Sequence, residues 1–569
     1  MKSTAVLALI ALLPSGMLPA IARSADAPEA DAVLAALAQP RDATAEATTP
    51  WRDAGNEHAR LARIYGLRGN ALLWSHDGVP TPNAVALLHT LSDAASDGLQ
   101  PADYQGDEFA AAMHSLQQQR GATPAQWASL DLQLSEALLD FTTELHCGRV
   151  SARAAGFELP YDCSGFDAGA AVVQLATLPD TTAALAALEP PYIHYRLLKQ
   201  ALPRFRQLAT QPELSRLPPL PRARVAPGQS YAGVPALRRL LVALDCLPRE
   251  DPAKPLAAKA SDAPVLDREL SAGLQRCQAL FGLKADGQLG RDTFAALTVP
   301  LAQRVRQIEL TLERWRWLPP LKYPSIIVNI PQFHLFALDA QQEHEDLMLQ
   351  MDVIVGQEFP RTQTPVFMAA MKSVVFRPYW DVPRSILTRE ILPAIRLRAN
   401  YLEAERLQLV RGESDDSLVV PTTPENVQAL ADGRLRLRQL PGPDNSLGLV
   451  KFLLPNPHDV YLHSTPAAQL FREPRRTFSH GCIRVSDPAA LAQWVLKGNP
   501  GEWTTERVGT AMQGEDDVHV ALAKPVQVLI VYGTALATED GAVHFFDDIY
   551  GHDRQLEQRL GLSSITAQH

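Results

Sequence analysis

One cysteine and two histidines lie close together near the C-terminal end of the chain. Cys482 follows His480 and Gly481 directly, and His463 precedes it by a distance that a strand, a loop and a turn can fold back. A thiol becomes a strong nucleophile only as a thiolate, and a neighbouring imidazole is a common means of removing its proton. A glycine just before the cysteine allows a sharp turn, which brings backbone N–H groups close to an attacked carbonyl and stabilises its oxyanion. The pattern therefore predicts acyl transfer through the Cys482 thiolate.

Two other interpretations of these residues stay open. His463, His480 and Cys482 could supply three zinc ligands, although the paired Cys-x-x-Cys or His-x-x-x-His spacings that zinc sites usually show are missing here. A single buried cysteine or histidine is also more often a packing residue than a catalytic one. Because all three occur in one short segment, we favour the nucleophile and expect neither a metal nor an organic cofactor.

Short β-branched and aromatic runs, bounded by Pro, Gly and Asp, surround this segment and predict the strands that position it. The runs are 325–330, 333–338, 347–355, 371–376, 450–454, 460–463 and 525–532. We expect a mostly β catalytic domain over 323–535, followed by a C-terminal tail over 536–569. Charged, helix-like sequence interrupts the strands at about 388–445, which predicts an inserted helical cap that covers the substrate.

The rest of the chain is predicted to be helical. Apolar residues recur at helical spacing between 134 and 145 and support a helical scaffold domain over 30–215. A proline-rich linker over 217–228 then leads to a small helical unit over 234–300. A chain of 569 residues exceeds what one core usually organises, so the expected fold class is α+β and multidomain.

Composition and the first residues bear on location and partners. Apolar residues make up 46% of the chain, charged residues make up 20%, and the net charge is -10, which gives no indication of nucleic acid binding. Lys2, a short apolar run and Ala20-Ile21-Ala22 predict a cleaved signal peptide over 1–22. No later run is long enough to cross a bilayer, so we expect no stable membrane span after cleavage.

Export changes how the five cysteines are interpreted. An odd number in an oxidising compartment leaves at least one thiol unpaired, and we expect this to be Cys482. Cys147 could pair with Cys163, and Cys246 with Cys277. All four could equally be buried thiols that behave as small apolar residues.

The segment around Cys482 resembles the active-site signature of the L,D-transpeptidases, in which a histidine begins one block and Ser/Thr-His-Gly-Cys forms the next. The wider chain is similar to the large multidomain murein L,D-transpeptidases. Residues 377–386 look like the motif that precedes an inserted capping subdomain, and residues 541–550 look like the C-terminal tail. Residues 274–297 resemble the three-helix peptidoglycan-binding-like module, which implies that 234–300 faces the cell wall.

The resemblance implies a role for each matching residue in the chemistry. Cys482 would be the nucleophile, and His463 would be the general base and later the proton donor. The main chain of Ser464 would orient His463. His480 and Gly481 would shape the pocket and, with the Cys482 N–H, form the oxyanion hole.

The resemblance also implies which side chains contact the substrate. Arg484 would hold a substrate carboxylate, because a guanidinium suits bidentate pairing, or it would be a structural ion-pair partner. Tyr461 and Ser479 would line the substrate site.

The implied function is an enzyme, a transferase that forms 3→3 peptidoglycan cross-links from stem tetrapeptides through an acyl-enzyme on cysteine. Such an enzyme would be a carbapenem target in the periplasm, acting in cell-wall biogenesis and cell shape. Its partners would be donor and acceptor stem peptides and other cell-wall synthesis proteins. Three alternatives stay open: an L,D-carboxypeptidase, a transpeptidase that attaches a protein to the wall, and a non-catalytic wall-binding scaffold.

Overall fold

The structure is a computed structural model of the chain. It describes residues 27–39, 54–160, 163–248, 264–341, 344–359, 362–398, 400–412, 414 and 417–562. The predicted signal peptide lies outside these residues. None of the helices in these ranges is both long and apolar enough to cross a membrane. The chain divides into two compact units, one with Met1–Ala95, Leu99–His146 and Gly165–Glu189, the other with Ser96–Gly98, Cys147–Ser164 and Pro190–His569.

The first unit is helical, as predicted. Its helices are Ala27–Leu37, Ala54–Leu67, Pro82–Ser92, Gly106–Gln118, Pro124–Cys147, Ala168–Thr177 and Thr181–Ala186. The predicted apolar stripe of the long helix is buried in its core. Asp131 is also buried in this core, where it accepts the Tyr65 hydroxyl at 2.6 Å and the backbone N–H of Trp74 at 2.8 Å. These bonds satisfy a polar group that would otherwise destabilise the core.

The second unit begins with helices that pack around a core of their own. They are Ile193–Ala209, Val234–Ala243, Arg268–Leu280, Arg291–Leu297 and Leu301–Trp315, and the hairpin of Ala535–Ala537 and Val543–Phe545 packs on the same core. Two disulfides join Cys246 to Cys277 and Cys147 to Cys163. Both pairings considered from the sequence are therefore present, and Cys482 is the free cysteine.

Nine strands form the main sheet of the second unit. They are β1 (Ser325–Asn329), β2 (His334–Gln341), β3 (His344–Gly356), β4 (Phe367–Phe376), β5 (Val450–Leu453), β6 (Leu462–His463), β7 (Thr477–Ser479), β8 (Ile483–Val485) and β9 (Val518–Val531). Their order is β7-β3-β8-β6-β5-β4-β9-β1-β2, and β2 also pairs with β3. That last pairing closes eight of the strands into a ring, with β7 attached beside it. The α+β multidomain prediction is confirmed.

The interior of the ring is the largest apolar core of the molecule. Alternate side chains of the strands, among them Ile326, Leu335, Val353, Leu462 and Ile483, point into it and are buried. Helices Pro488–Val495, Thr505–Gln513 and His552–Arg559 contribute further apolar side chains. Because successive side chains on a strand alternate between faces, the neighbours of Leu462 and Ile483 lie on the outer face of the ring.

The insertion between β4 and β5 is a small subdomain, here called the cap. Its helical turns are Arg384–Ile386, Leu387–Ile391, Leu392–Leu397, Tyr401–Ala404 and Pro424–Ala431, and its strands are Trp380–Asp381, Leu407–Arg411, Leu418–Val420 and Arg436–Gln439. The four strands form one antiparallel sheet around a separate apolar core. The prediction of a helical cap was therefore incomplete, because short strands that pair over long distances carry little local signal.

Candidate active site

Strand pairing brings the two predicted catalytic residues together. β6 and β8 are parallel neighbours, with Leu462 opposite Ile483 and His463 opposite Arg484, and the Ile483 N–H donates to the Tyr461 carbonyl at 3.1 Å. Cys482 directly precedes β8 and therefore lies beside Tyr461, which directly precedes β6. His463 and Cys482 project from adjacent strands on the outer face of the ring.

A tight turn, here called the nucleophile turn (residues 479–482), presents Cys482. The buried Ser479 hydroxyl closes it by accepting the Gly481 N–H at 3.1 Å and donating to the Cys482 carbonyl at 2.5 Å. Gly481 has φ +121°, a conformation that a residue with a side chain rarely adopts. The expected sharp turn at Gly481 is present, and Ser479 supplies the hydrogen bonds that hold it.

Hydrogen bonds from residues of other elements fix the position of the nucleophile turn. The buried Thr364 hydroxyl donates to the Gly481 carbonyl at 2.8 Å and accepts the Gly356 N–H at 2.9 Å. The Tyr550 hydroxyl donates to the Gly356 carbonyl at 2.6 Å and accepts the Thr364 N–H at 3.2 Å. Nothing in the local sequence marks Thr364 or Gly356 as part of the site, and only the likeness of 541–550 to a family tail pointed to Tyr550.

The Cys482 thiol is half-buried and donates weakly to the Asp459 carbonyl at 3.7 Å. Burial raises its pKa, and hydrogen bonds from Tyr461 and the charges of Lys451 and Arg484 oppose that rise. The thiol therefore stays protonated at rest and would need a base in order to act as a nucleophile.

One backbone donor at the turn is available to an oxyanion. The N–H of Cys482 has no acceptor among the described residues, whereas that of Gly481 is already taken by the Ser479 hydroxyl. An unpaired backbone N–H beside a nucleophile is the kind of donor that stabilises a developing oxyanion.

His463 is buried and held in one tautomer. Its Nδ1 lies 2.5 Å from the Ser464 carbonyl, which can only accept, so Nδ1 carries the proton and Nε2 is left with a lone pair. Burial, followed by the charge of Arg484, lowers the pKa of His463 to about 3, and Lys451 contributes in the same direction. The imidazole is therefore neutral at neutral pH and able to accept a proton through Nε2.

Two cations flank His463 on the neighbouring strands. Lys451 on β5 lies opposite His463, and Arg484 on β8 lies opposite it on the other side. The Lys451 Nζ sits 4.1 Å from the centre of the Tyr461 ring. No acidic side chain in the described ranges forms an ion pair with Arg484, and its Nε is buried without a hydrogen-bond partner. No role at the site was predicted for Lys451, because a lysine on a strand shows no local sign of which strand becomes its neighbour.

His480 points to the cap. Its Nε2 lies 2.8 Å from the Glu390 carboxylate, which belongs to the helical turn Leu387–Ile391. Within the described ranges, no group of three or more His, Cys, Asp and Glu side chains is arranged to hold a metal ion, so His463, His480 and Cys482 do not form the zinc site considered above.

Comparison with known proteins agrees with this geometry. The family model of the L,D-transpeptidase catalytic domain matches residues 323–506, and a scaffold domain model matches residues 59–202. A Haemophilus influenzae protein provisionally named an L,D-transpeptidase is 29% identical over 279 residues, which are 48% of this chain and 54% of the relative. The match thus spans about half the length of that relative. The histidine and the cysteine of the signature both lie within residues 323–506, so the part of the chain that contains them matches an L,D-transpeptidase catalytic domain.

Proposed function

We propose that this chain forms 3→3 peptidoglycan cross-links through an acyl-enzyme on Cys482. The observation that carries the proposal is His463: its Nδ1–H is bonded to the Ser464 carbonyl, and its Nε2 remains a base on the strand beside the nucleophile. A thiol and a neutral imidazole in this relation are suited to acyl transfer.

In the first half-reaction the donor is a stem tetrapeptide. His463 Nε2 takes the Cys482 thiol proton as sulfur attacks the carbonyl of the third residue. The Cys482 N–H donates to the oxyanion, the C–N bond to the terminal D-residue breaks, and His463 returns the proton to the leaving amine. The thioester remains on sulfur.

Charge on the outer face favours an anionic donor. Arg484 and Lys451 both lie near His463 and Cys482, and a donor stem carries a free carboxylate close to the bond that is cut. We assign Arg484 to that carboxylate, with Lys451 beside it, and Tyr461 to the wall of the site. Ser479 acts by holding the nucleophile turn, because its hydroxyl is occupied there.

In the second half-reaction the side-chain amine of a neighbouring stem attacks the thioester. Export by residues 1–22, action in the periplasm, inhibition by carbapenems and a wall-facing role for 234–300 belong to the same proposal. They are supported by the match of residues 323–506 to an L,D-transpeptidase catalytic domain and by the signature around Cys482.

Incubation with purified stem tetrapeptides tests the proposal by mass spectrometry. We expect dimers joined at the third residues, and one covalent carbapenem adduct on the native protein that is absent from Cys482→Ala. Loss of the terminal residue without dimers would indicate a carboxypeptidase, a protein adduct on the stems would indicate wall attachment, and an equal adduct on Cys482→Ala would refute the nucleophile.

A second test separates the two histidines. His463→Ala should slow acylation on the order of 10²-fold, the usual effect of losing a general base, and His480→Ala should slow it much less. The exposed His519, replaced by Ala, is the matched control. If His480→Ala slows acylation more than His463→Ala does, the base has been assigned to the wrong histidine.

A further inference from the structure

The cap places a carboxylate on the nucleophile turn. Glu390 Oε1 lies 2.8 Å from Nε2 of His480, a residue that stands two positions before Cys482. About 36% of the His480 side chain and 53% of the Glu390 side chain are exposed, so the pair lies at a surface that a second substrate can reach. The first half-reaction, as described above, uses neither residue.

We infer that His480, oriented by Glu390, is the base that accepts a proton from the acceptor amine, so that the two histidines serve different half-reactions. The inference rests on the proposed function, because it assigns residues to the step in which an amine takes the thioester. The acceptor is then a primary amine that reaches the site as an ammonium ion.

The chemistry of the second step requires a further proton acceptor. A primary amine is largely an ammonium at neutral pH and is not nucleophilic until it loses a proton. In the proposed sequence the ammonium first gives one proton to His480. Nitrogen then attacks the thioester carbon, the C–N bond forms and the C–S bond breaks. The second nitrogen-bound proton passes through His463 to the departing sulfur, which restores the thiol.

The contact with Glu390 leaves His480 in a suitable state. A carboxylate oxygen can only accept, so the ring nitrogen 2.8 Å from it carries a proton, and in the neutral imidazole the lone pair is then on Nδ1, to which no described residue hydrogen-bonds. A carboxylate on one nitrogen also stabilises the imidazolium that forms when the other nitrogen accepts a proton, as in other carboxylate–histidine pairs. Glu390 is thus a positioning residue, and His480 is the group that contacts the amine.

The local backbone of the cap accounts for the position of Glu390. Leu387–Ile391 is a single π-helical turn between two short α-helical segments. Such turns rotate the side chains that follow relative to a regular helix and occur frequently at functional sites. Leu387 and Ile391 are buried in the cap core, so the turn is anchored while Glu390 faces the nucleophile turn.

Single-turnover measurement of the acyl-enzyme tests this assignment. The native protein, Glu390→Gln and His480→Gln are first acylated with a stem tetrapeptide, and the thioester is then chased with stems that carry a free side-chain amine. We expect Glu390→Gln to acylate within about threefold of the native rate, and both variants to lose aminolysis by about 10². Hydrolysis by water should fall much less, so that the dimer-to-hydrolysis ratio drops.

Glu403→Gln, an exposed carboxylate elsewhere on the cap, is the matched control and should keep the native ratio. An equal loss of acylation and aminolysis in Glu390→Gln, or an unchanged ratio, would overturn the inference and leave the proposed function standing. Failure of the native protein to form any acyl-enzyme would instead count against the proposed function.

Discussion

Replacement of Arg484 by Gln should raise the pKa of His463, because it removes one of the two cations beside the buried imidazole. Burial and the Arg484 charge together lower this pKa to about 3 in the native protein. Side chains opposite each other on neighbouring strands lie about 5 Å apart at Cβ, which places the guanidinium charge roughly 6 Å from the ring. At an effective dielectric constant of about 20, that charge is worth about 3 kcal/mol, or about 2 pKa units. The guanidinium is partly exposed, and solvent screening reduces the expected rise to about 1 unit.

The assay is NMR titration of the histidine Cε1–H signals, with the His463 signal assigned from its absence in His463→Gln. Lys497→Gln, which removes an exposed cation from the same domain, is the control and should leave the pKa unchanged. An unchanged His463 pKa in Arg484→Gln, or an equal rise in the control, would refute the account of this site. Either result would mean that burial alone lowers the pKa of His463 and that the Arg484 guanidinium points away from the imidazole.

Three further predictions concern the supports of the site and the stability of the chain. Tyr550→Phe removes the hydroxyl that bonds Gly356, and it should slow acylation on the order of tenfold through misplacement of the nucleophile turn, as measured by single-turnover mass spectrometry, with the melting temperature nearly unchanged. Replacing both Cys246 and Cys277 by Ser opens a link across 31 residues and should lower the free energy of unfolding by about 3–4 kcal/mol in urea titrations. His463 is neutral when folded and gains a proton on unfolding, so stability should fall as the pH drops from 6.5 towards about 3, and less steeply in His463→Gln.

The strands of the ring were predictable wherever local sequence carries the signal. β1, β2, β4 and β5 were expected within a few residues of their observed positions, because β-branched runs between turn residues mark a half-buried strand. β7 and β8 have three residues each and were not separated from the active-site segment. The N-terminal part of β9 was missed because Ala521 and Ala523, a residue type depleted in strands, interrupt its β-branched residues, and Pro525 follows.

In the candidate site, too, some residues could be predicted from the local sequence and others could not. Cys482 and His463 could be found because the proposed nucleophile and its proposed base share one short segment. Thr364 supports Gly481 from 117 residues away, and Glu390 reaches His480 from inside the cap. Contacts of that kind depend on which strands become neighbours, and an isolated threonine or glutamate shows no sign of it.

The two ends of the cap meet. Asp381 pairs with Arg438 and Trp380 pairs with Gln439, so the insertion leaves and re-enters the ring through one antiparallel stem. A segment joined in this way can be lengthened, trimmed or exchanged between relatives without a change in the strand register of the ring. The reason is that both ends of the segment attach to the ring at the same place. If Glu390 and Cys482 have the proposed roles, with Glu390 on the cap and Cys482 on the ring, preference for one acceptor amine over another can diverge during evolution while the proposed nucleophile and base are inherited unchanged. Grafting a cap from one relative onto the ring of another is therefore a practical route to new cross-linking specificity.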